Sequence, residues 1–389
     1  MAADNSTVRI LNQKTLLDKI YQNDGISKAT LSKQLRMSKP TVSRNVQELI
    51  TSGIVTEAGT GKSTKNGGKK PTMLRFNKTH RYIAVIELLS YNYPICAIGN
   101  LKCEILDVKK PNIDRSTPPE AKREGISGTL KDLLKQLAIP PDKLGIIVIS
   151  LPGQIGGNSE VIYVDPTHHP WTNIGLREHI EEEFGVPVLL GNDLRMAAIG
   201  EITMGKIEGI ESLVYVNCSI GLGSGIVYKG EFFEGCNYAA GELGAFLTSD
   251  GRRLGEVVSK EGLLKRIAGI YAENNIIAEN LEFEDVINKS IDGDVFVNKA
   301  LSEVGSILGL AIYNCCIMLD IPDVFFGGDY VHLGSALMDS IAEVLNQSFL
   351  PIRPKIRKSS LGDLAGVYGS LVTGKNAILH REVHTLGAS

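Results

Sequence analysis

Four polar side chains between residues 39 and 47 have the types and spacing that hydrogen bonding to nucleic acid requires. Arg44 and Gln47 are one helical turn apart, and both side chains can read base edges in the major groove. Ser43 lies beside them, and Lys39 is a cation suited to a phosphate. The residues predicted to contact DNA from this segment are Ser38, Lys39, Thr41, Ser43, Arg44 and Gln47.

Two short helices and a tight turn would position these side chains. Ser27 can N-cap a first helix that ends near Arg36, and Ser38 can N-cap a second helix that stops at Gly53. The second helix carries Pro40 in its first turn, which favours a helix start. The apolar positions of this small core are Leu16, Leu17 and Ile20 of an earlier helix over 6–22, Leu31 and Leu35, and Val42, Val46, Leu49 and Ile50. The pattern predicts a helix-turn-helix, although Arg36 occupies a turn position that often holds glycine.

The segment that follows, 59–76, is rich in glycine and lysine and becomes extended at Thr72–Phe76. It is typical of the wing of a winged helix, with Lys69 and Lys70 touching the DNA backbone or minor groove. The alternative is that the three helices and the loop form a protein-interaction module or a linker.

Charge is divided unevenly along the 389 residues. Residues 1–80 have a net charge of +9 and residues 81–389 one of −12. The basic segment supports DNA binding, and the acidic remainder would be repelled by phosphates. A chain of this length, with 43% hydrophobic and 22% charged residues, is expected to contain at least two folding units and to be neither disordered nor fibrous.

Further sequence features limit the possible reactions and the cellular compartment of the protein. We find no signal-peptide pattern and no apolar run of about 18 residues, so a cytoplasmic protein without a membrane partner is expected. The six cysteines lack C-x-x-C spacing and are predicted to be reduced core residues. His168 and His169 have no Ser, Cys or Asp placed to form a nucleophile–base pair, and Trp171 is predicted to pack.

From Tyr82 the pattern changes to α/β. Residues 82–100 and 213–230 each read as two strands joined by a turn, and each pair is followed by apolar strands and amphipathic helices. Further strands are predicted at 144–151 and 186–193, and helices at 175–185, 194–204, 256–273, 295–317 and 333–348. Two similar halves indicate a duplicated, two-lobed fold with a ligand cleft between the lobes.

The order of several short motifs resembles the ROK group of repressors, open reading frames and sugar kinases, and specifically its repressor branch, which includes xylose and N-acetylglucosamine repressors. The motifs are LPG (151–153), GND with AAIGE (191–193 and 197–201), GLGSG (221–225), AAGELG (239–244) and FFGG (325–328). The resemblance implies an actin-like, hexokinase-type body of duplicated RNase H-like lobes that binds a sugar between them and dimerises. With the head, the expected domains are a winged helix at 1–80 and a body at 81–389, whose first lobe is about 81–200 plus the C-terminal helix and whose second is about 201–370.

Two departures from the family argue against catalysis. The family's kinases have Asp followed by Gly-Gly-Thr in the first hairpin, whereas this chain has Glu87 to Tyr91 with no glycine or threonine. The second phosphate loop reads Ser219-Ile220-Gly221 instead of Gly-Thr-Gly. Phosphoryl transfer depends on positioning phosphates, so no ATP binding and no enzyme activity are expected.

The same resemblance implies the sugar contacts Gly153, Asn192, Asp193, Glu242 and Glu256. Asp193 stands at the kinase-base position and is expected to bind ligand only; the alternative is that Asn192 and Asp193 simply cap the next helix. Glu256 could equally be a solvated helix residue. The family's zinc ligands are missing, since Ala245 replaces histidine and the following loop has no cysteine, so no metal is expected.

These patterns favour a sugar-responsive transcriptional repressor of a carbohydrate operon, bound to double-stranded operator DNA as a homodimer or tetramer. The alternatives are a sugar kinase with an added DNA-binding head, or a repressor that responds to a sugar phosphate or to no sugar. The sequence identifies neither the sugar nor the operator.

Overall fold

The fold is taken from a computed structural model of the chain. The structure describes residues 5–60, 70–88, 93–157, 160–163, 171, 174–205, 207–276, 281–347 and 353–388. Lys69, Leu89, Ser90, Tyr91, His168 and His169 therefore lie outside the described residues.

The described elements follow the order expected for a small helical head and an α/β body. The helices are α1 (Asn5–Gln22), α2 (Lys28–Leu35), α3 (Lys39–Thr51), α4 (Pro119–Gln136), α5 (Leu176–Phe184), α6 (Asp193–Met204), α7 (Leu254–Val258), α8 (Lys260–Glu273), α9 (Phe283–Ile291), α10 (Val295–Leu319), α11 (Ser335–Leu345) and α12 (Ala365–Ala388). The strands are β1 (Ile26–Ser27), β2 (Val55–Thr60), β3 (Thr72–Phe76), β4 (Tyr82–Glu87), β5 (Ile95–Asn100), β6 (Ile105–Lys109), β7 (Leu144–Leu151), β8 (Gln154–Ile155), β9 (Val161–Tyr163), β10 (Val188–Asn192), β11 (Leu213–Cys218), β12 (Leu222–Tyr228), β13 (Glu231–Phe232), β14 (Asp323–Gly327) and β15 (Lys355–Lys358).

The head is a winged helix. Helices α1 to α3 pack around Leu16, Leu31 and Leu49, which are fully buried, while a small sheet of order β1-β3-β2 closes one side. The hairpin of β2 and β3 is the predicted wing. Arg36 adopts the left-handed conformation at the end of α2, with φ of 53°, so the turn has the geometry that glycine would favour.

The body contains the same sheet twice. The first has the order β10-β7-β4-β5-β6 and the second β13-β12-β11-β14-β15. In each, the first three strands in sequence pair antiparallel and the last two join in parallel. The duplication indicated by the two hairpins is present.

Helices α6 and α12 connect the lobes to the head. α6 lies against both β12 of the second sheet and α12, and α12 packs on β4 and β7 of the first sheet and on α1 of the head. Glycines allow the α6–α12 contact, since a Cβ on Gly369 would lie 1.7 Å from the Met196 carbonyl oxygen. One apolar cluster accordingly runs from the head core into α12.

One sequence expectation needs correction. Cys236 is exposed, so the six cysteines, although all free, are not all core residues. Of the described helices, α10 is long and apolar enough, by length and composition only, to cross a membrane. Its buried side packs against α8 and α11 in the second-lobe core, which is a sufficient reason for its apolar composition.

Candidate DNA-binding surface and ligand cleft

Helix α3 presents the predicted reading residues on its outer side. Lys39, Ser43, Arg44 and Gln47 are exposed, and Val42, Val46 and Leu49 are buried on the opposite side. Because the apolar stripe fixes how the helix is rotated, the polar side chains must point away from the head core.

Ser38 and Thr41 serve the helix itself. The Ser38 hydroxyl accepts a hydrogen bond from the Thr41 backbone N–H at 3.2 Å, and the two hydroxyl oxygens are 2.7 Å apart. The Ser38 side chain therefore forms the N-cap of α3, and any contact with DNA would be in addition to this structural role. Lys70 is exposed at the described end of the wing.

A large cleft separates the two lobes. It has a volume of about 1650 Å³ and is lined from the first lobe by Gly153 and Tyr163 and from the second by Gly221, Glu242 and Glu256. The structure thus brings together three of the five predicted sugar contacts: Gly153, Glu242 and Glu256. Gly153 has φ of +115°, a conformation that favours glycine, and it forms the turn after β7.

Asn192 and Asp193 are not among the residues that line the cleft. Asn192 is the N-cap of α6: its side-chain oxygen accepts from the Arg195 N–H at 2.9 Å, and its amide donates to the Gly153 carbonyl at 2.9 Å. Asn192 therefore caps α6 and also fixes the Gly153 turn, while its contact with a sugar stays a prediction.

Asp193 is 3% exposed, and its carboxylate accepts a 2.7 Å hydrogen bond from the Leu194 N–H. Burial raises the pKa of Asp193 to about 7; the Leu194 hydrogen bond opposes this and the Glu242 carboxylate adds to it. The Glu242 side chain is exposed within the cleft, but partial desolvation by the surrounding protein raises the pKa of its carboxyl. The Arg195 guanidinium opposes that rise. The two acids interact electrostatically, so Asp193 can influence a ligand at Glu242 without lining the wall.

The glycines of GLGSG differ in what surrounds them. A Cβ on Gly225 would lie 2.2 Å from the Leu194 carbonyl oxygen, and one on Gly223 would lie 2.4 Å from the Leu194 side chain. Both glycines therefore allow β12 to approach the start of α6. A Cβ on Gly221 would meet no atom within 4 Å, because this glycine faces the cleft.

Side chains occupy the region around the second degenerate loop. The Ser219 hydroxyl hydrogen-bonds to the Asp329 carboxylate, and the Lys260 ammonium lies 2.5 Å from the same carboxylate. The Lys260 ammonium balances the Asp329 carboxylate, so the Ser219 hydroxyl of this loop is engaged by an ion pair. At the first loop, Glu87 is 2% exposed at the end of β4.

The residues present do not fit the zinc site of the family. Ala245 has no ligand atom, and the segment after it is closed by a bridge between Leu247 and Arg253 and a 2.9 Å hydrogen bond from the Thr248 N–H to the Arg252 carbonyl. Backbone pairing thus holds the loop that a structural metal would otherwise hold. Among the described residues, no three or more His, Cys, Asp or Glu side chains are grouped to hold a metal ion.

The ROK family profile matches residues 92–376. The chain belongs to the ROK family. A MarR family profile matches residues 10–62, within the winged helix. The predicted fold class, a winged helix followed by an actin-like two-lobed ROK body, is confirmed.

Several relatives that match nearly the whole chain are regulators, while a glucokinase relative matches less of it. The chain is 28% identical to the xylose repressor of Bacillus subtilis (strain 168), over 96% of this chain and 94% of that protein. It is 26% identical to the glucokinase of Halalkalibacterium halodurans, over 69% of this chain and 90% of that enzyme. Among solved structures, a ROK family transcriptional regulator homologous to the E. coli MLC protein covers 98% of this chain and 99% of its own, with a TM-score of 0.78 and 22% identity.

Sequence reasoning assigned no role to Arg195 or to Asp329. Arg195 is a buried cation, which hydropathy patterns exclude from a helix core, and only its position two residues after Asp193 could have drawn notice. Asp329 follows FFGG directly, so an acid after that motif was the available signal.

Proposed function

We propose that this ROK protein is a sugar-responsive transcriptional repressor that acts in the cytoplasm as a homodimer. Its winged heads bind a two-fold operator, and a sugar in the cleft weakens that binding. The proposed DNA contacts are those predicted from the sequence, and the proposed sugar contacts are Gly153, Glu242 and Glu256, with Asp193 acting electrostatically.

The observation that carries the proposal is the unbroken packing from cleft to head. α6 begins at Asp193 beside the cleft and packs along α12, and α12 packs against α1. Further contacts join head and body: Lys102 lies 3.8 Å from the centre of the Tyr21 ring, and His80 is 3.2 Å from Glu382. A change of lobe angle that moves α6 would therefore shift the heads, which is how ligand and DNA become coupled.

The cleft chemistry favours a sensor over an enzyme. Carboxylates such as Glu242 and Glu256 accept hydrogen bonds from sugar hydroxyls. Ser219 and Ile220 replace the glycine and threonine of the family's second phosphate loop, and the Ser219 hydroxyl is engaged by Asp329. We propose that the protein uses neither ATP nor zinc.

Titration of a labelled DNA fragment tests the function. The fragment upstream of the protein's own gene is expected to bind at low salt, and D-xylose is the first effector to add because several full-length relatives are named xylose repressors. D-glucose, N-acetyl-D-glucosamine and their phosphates form the rest of the panel. If only a phosphorylated sugar releases the protein from the DNA fragment, the effector is a sugar phosphate and not a free sugar. A folded dimer that does not bind the fragment at low salt would refute the proposal.

Two variants test sugar binding in the cleft separately from DNA binding by the head. Glu242→Gln should bind the DNA fragment normally but respond to sugar at concentrations at least about tenfold higher, because a carboxylate forms the stronger hydrogen bonds. Glu208→Gln, an exposed change on the segment after α6, is the matched control.

A sugar kinase is the second candidate, and the Asp193 carboxyl is the observation in its favour. A pKa of about 7 suits a general base at neutral pH. ADP release coupled to sugar, and lost in Asp193→Asn, would establish this activity instead.

A further inference from the structure

Arg195 is a nearly buried cation beside the cleft, with 6% of its surface exposed. It is the third residue of α6, two positions after Asp193. Its guanidinium donates to the Ile155 carbonyl at 3.3 Å and to the Tyr238 carbonyl, and it lies 3.6 Å from the Glu234 carboxylate.

The partners of Arg195 belong to different lobes. Ile155 is in β8, directly after the last residues of β7 in the first lobe. Glu234 and Tyr238 are in the segment that joins β13 of the second sheet to Glu242. Tyr238 has φ of 56°, a bent backbone that most residues avoid, and its carbonyl is an acceptor for Arg195.

Apart from Arg195, the described contact of the segment from 233 to 242 with the first lobe is the Tyr238 ring, which lies beside Gly157, where a Cβ would be 3.3 Å from the Tyr238 hydroxyl. The described backbone hydrogen bonds of this segment stay within the segment or within the second lobe. The Phe233 N–H donates to the Ile226 carbonyl, the Ala240 N–H donates to the Glu234 carbonyl, and the Gly241 carbonyl accepts from the Ser224 N–H. The Arg195 guanidinium therefore supplies the described hydrogen bonds that reach across from this segment to the first lobe.

We propose that Arg195 is a positioning residue that ties the two lobes together at the cleft and sets the place of Glu242. Because three groups from two lobes share one rigid guanidinium, their separation is fixed while the contacts last. Opening or closing the cleft must stretch or break them, so Arg195 sets how far the lobes move when ligand binds.

The charges around Glu242 agree with this role. The charged or titratable groups on the elements around it are Asp193, Arg195, Glu234, Tyr238 and Glu256, together with Arg115, Arg252, Arg253, Lys260 and Glu261, which line the same cleft. Arg195 is the cation that lowers the pKa of Glu242 against burial. Without the guanidinium, the pKa of Glu242 would rise, and its carboxylate would be available to a ligand only at higher pH.

Hydrogen exchange of the full-length protein without any sugar is the first test. In Arg195→Met, amides of 233–242 should exchange at least about tenfold faster than in the parent, while those of α2 and α3 stay unchanged. Unchanged protection of 233–242 would overturn the proposal. Arg177→Met, which removes an exposed ion pair with Glu181, is the control and should have no effect in this segment.

Two milder variants keep the test decisive if Arg195→Met folds poorly. Glu234→Gln removes the ion pair but leaves both carbonyl contacts, so 233–242 should stay protected. Arg195→Lys keeps the charge but cannot hold both carbonyls, so exchange should be accelerated. Equal exchange in these two variants would count against the guanidinium geometry.

The second test rests on the proposed sugar site. D-xylose is expected to stabilise the protein, and thermal shift across pH measures this stabilisation. As the pH is lowered, the stabilisation should disappear at a pH at least about half a unit higher in Arg195→Met than in Arg195→Lys, which retains the cation. Identical profiles would overturn the electrostatic part of the proposal. If the parent protein binds no sugar of the panel, the proposed function fails, and the exchange result still decides the role of Arg195.

Discussion

The Glu201 carboxylate accepts a 2.7 Å hydrogen bond from the Ser360 hydroxyl, across the point where the chain returns from the second lobe to α12. Glu201 is fully buried near the end of α6, and it also accepts from the Ser359 hydroxyl and from the backbone N–H groups of Ser360 and Leu361. The other connection between the lobes leaves α6 a few residues later, at Gly205. Glu201 is thus the residue that holds both connections together.

Replacing Glu201 with alanine should therefore destabilise the protein strongly. Four donors on half-buried or exposed residues would lose a charged acceptor that is itself buried, which costs about 3 kcal/mol in total. A melting temperature lower by about 5 °C or more is expected by differential scanning fluorimetry. The exposed Glu208→Ala is the control, and a Glu201→Ala variant as stable as this control would show that the serine segment is held by other contacts.

The glycine-rich segment offers a matched pair of substitutions. Gly225→Ala would place a methyl group 2.2 Å from the Leu194 carbonyl oxygen and push β12 away from α6, whereas Gly221→Ala meets no atom within 4 Å. We expect Gly225→Ala to lower the free energy of unfolding by about 1–3 kcal/mol and Gly221→Ala to lower it by less than about 0.5 kcal/mol. Urea unfolding compares the two, and equal stability would mean that the α6 contact yields freely.

The sequence predicted the head and the strands well because their signals are local. Ser27 and Ser38 cap α2 and α3 as expected, and β3 and β7 have the predicted bounds. Helix α4 was missed because Gly125 and Gly128 weaken its pattern. The C-terminal helix was expected only from the family resemblance, and in α12 the glycines Gly366, Gly369 and Gly374 allow close contacts with neighbouring elements.

The candidate site was predicted less completely because its contacts are tertiary. Spacing alone could not show that Gly223 and Gly225 pack against α6 while Gly221 faces the cleft. Nor could it show that Asp193 lies behind the cleft wall, or that the partners of Arg195 are backbone carbonyls from both lobes. The assignment of individual DNA and sugar contacts, and the domain boundaries, stay predictions.

Asp193→Asn should make the protein more stable, and more so at alkaline pH. The pKa of Asp193 is raised by burial from 3.8 to about 7, so the unfolded chain releases this proton before the folded chain does. Stability is therefore lost as pH rises from about 4 to about 7, and asparagine, which cannot ionise, avoids that loss.

The gain from Asp193→Asn should be larger at pH 8 than at pH 5.5 by on the order of 2 kcal/mol. Melting temperatures at the two pH values test this, with the exposed Asp339→Asn on α11 as control. A gain that is equal at both pH values, or larger at pH 5.5, would contradict the raised pKa.

Arg36→Gly should stabilise the head. Arg36 has φ of 53°, and a residue with a Cβ is held there at a cost of about 1 kcal/mol that glycine avoids. Arg36→Ala keeps the Cβ and removes the same charge, so the difference between the two variants isolates the backbone effect. Hydrogen exchange in α2 and α3 should be about fivefold slower in Arg36→Gly than in Arg36→Ala. Faster exchange in the glycine variant would show that the turn gains nothing from glycine.

The exposed side of α3 predicts two different kinds of loss in DNA binding. Arg44 is placed to reach base edges, so Arg44→Ala should weaken binding to the specific fragment about 10-fold to 100-fold while leaving binding to unrelated DNA nearly unchanged. Lys39 is placed to meet phosphate, so Lys39→Ala should weaken binding to both DNAs alike and reduce the salt slope by about one. Fluorescence anisotropy over a salt series measures both quantities, and Lys135→Ala on α4 controls for the loss of a surface cation elsewhere. If Arg44→Ala weakened both DNAs equally, α3 would bind the backbone without reading the bases, and the operator would have to be recognised by another element of the head.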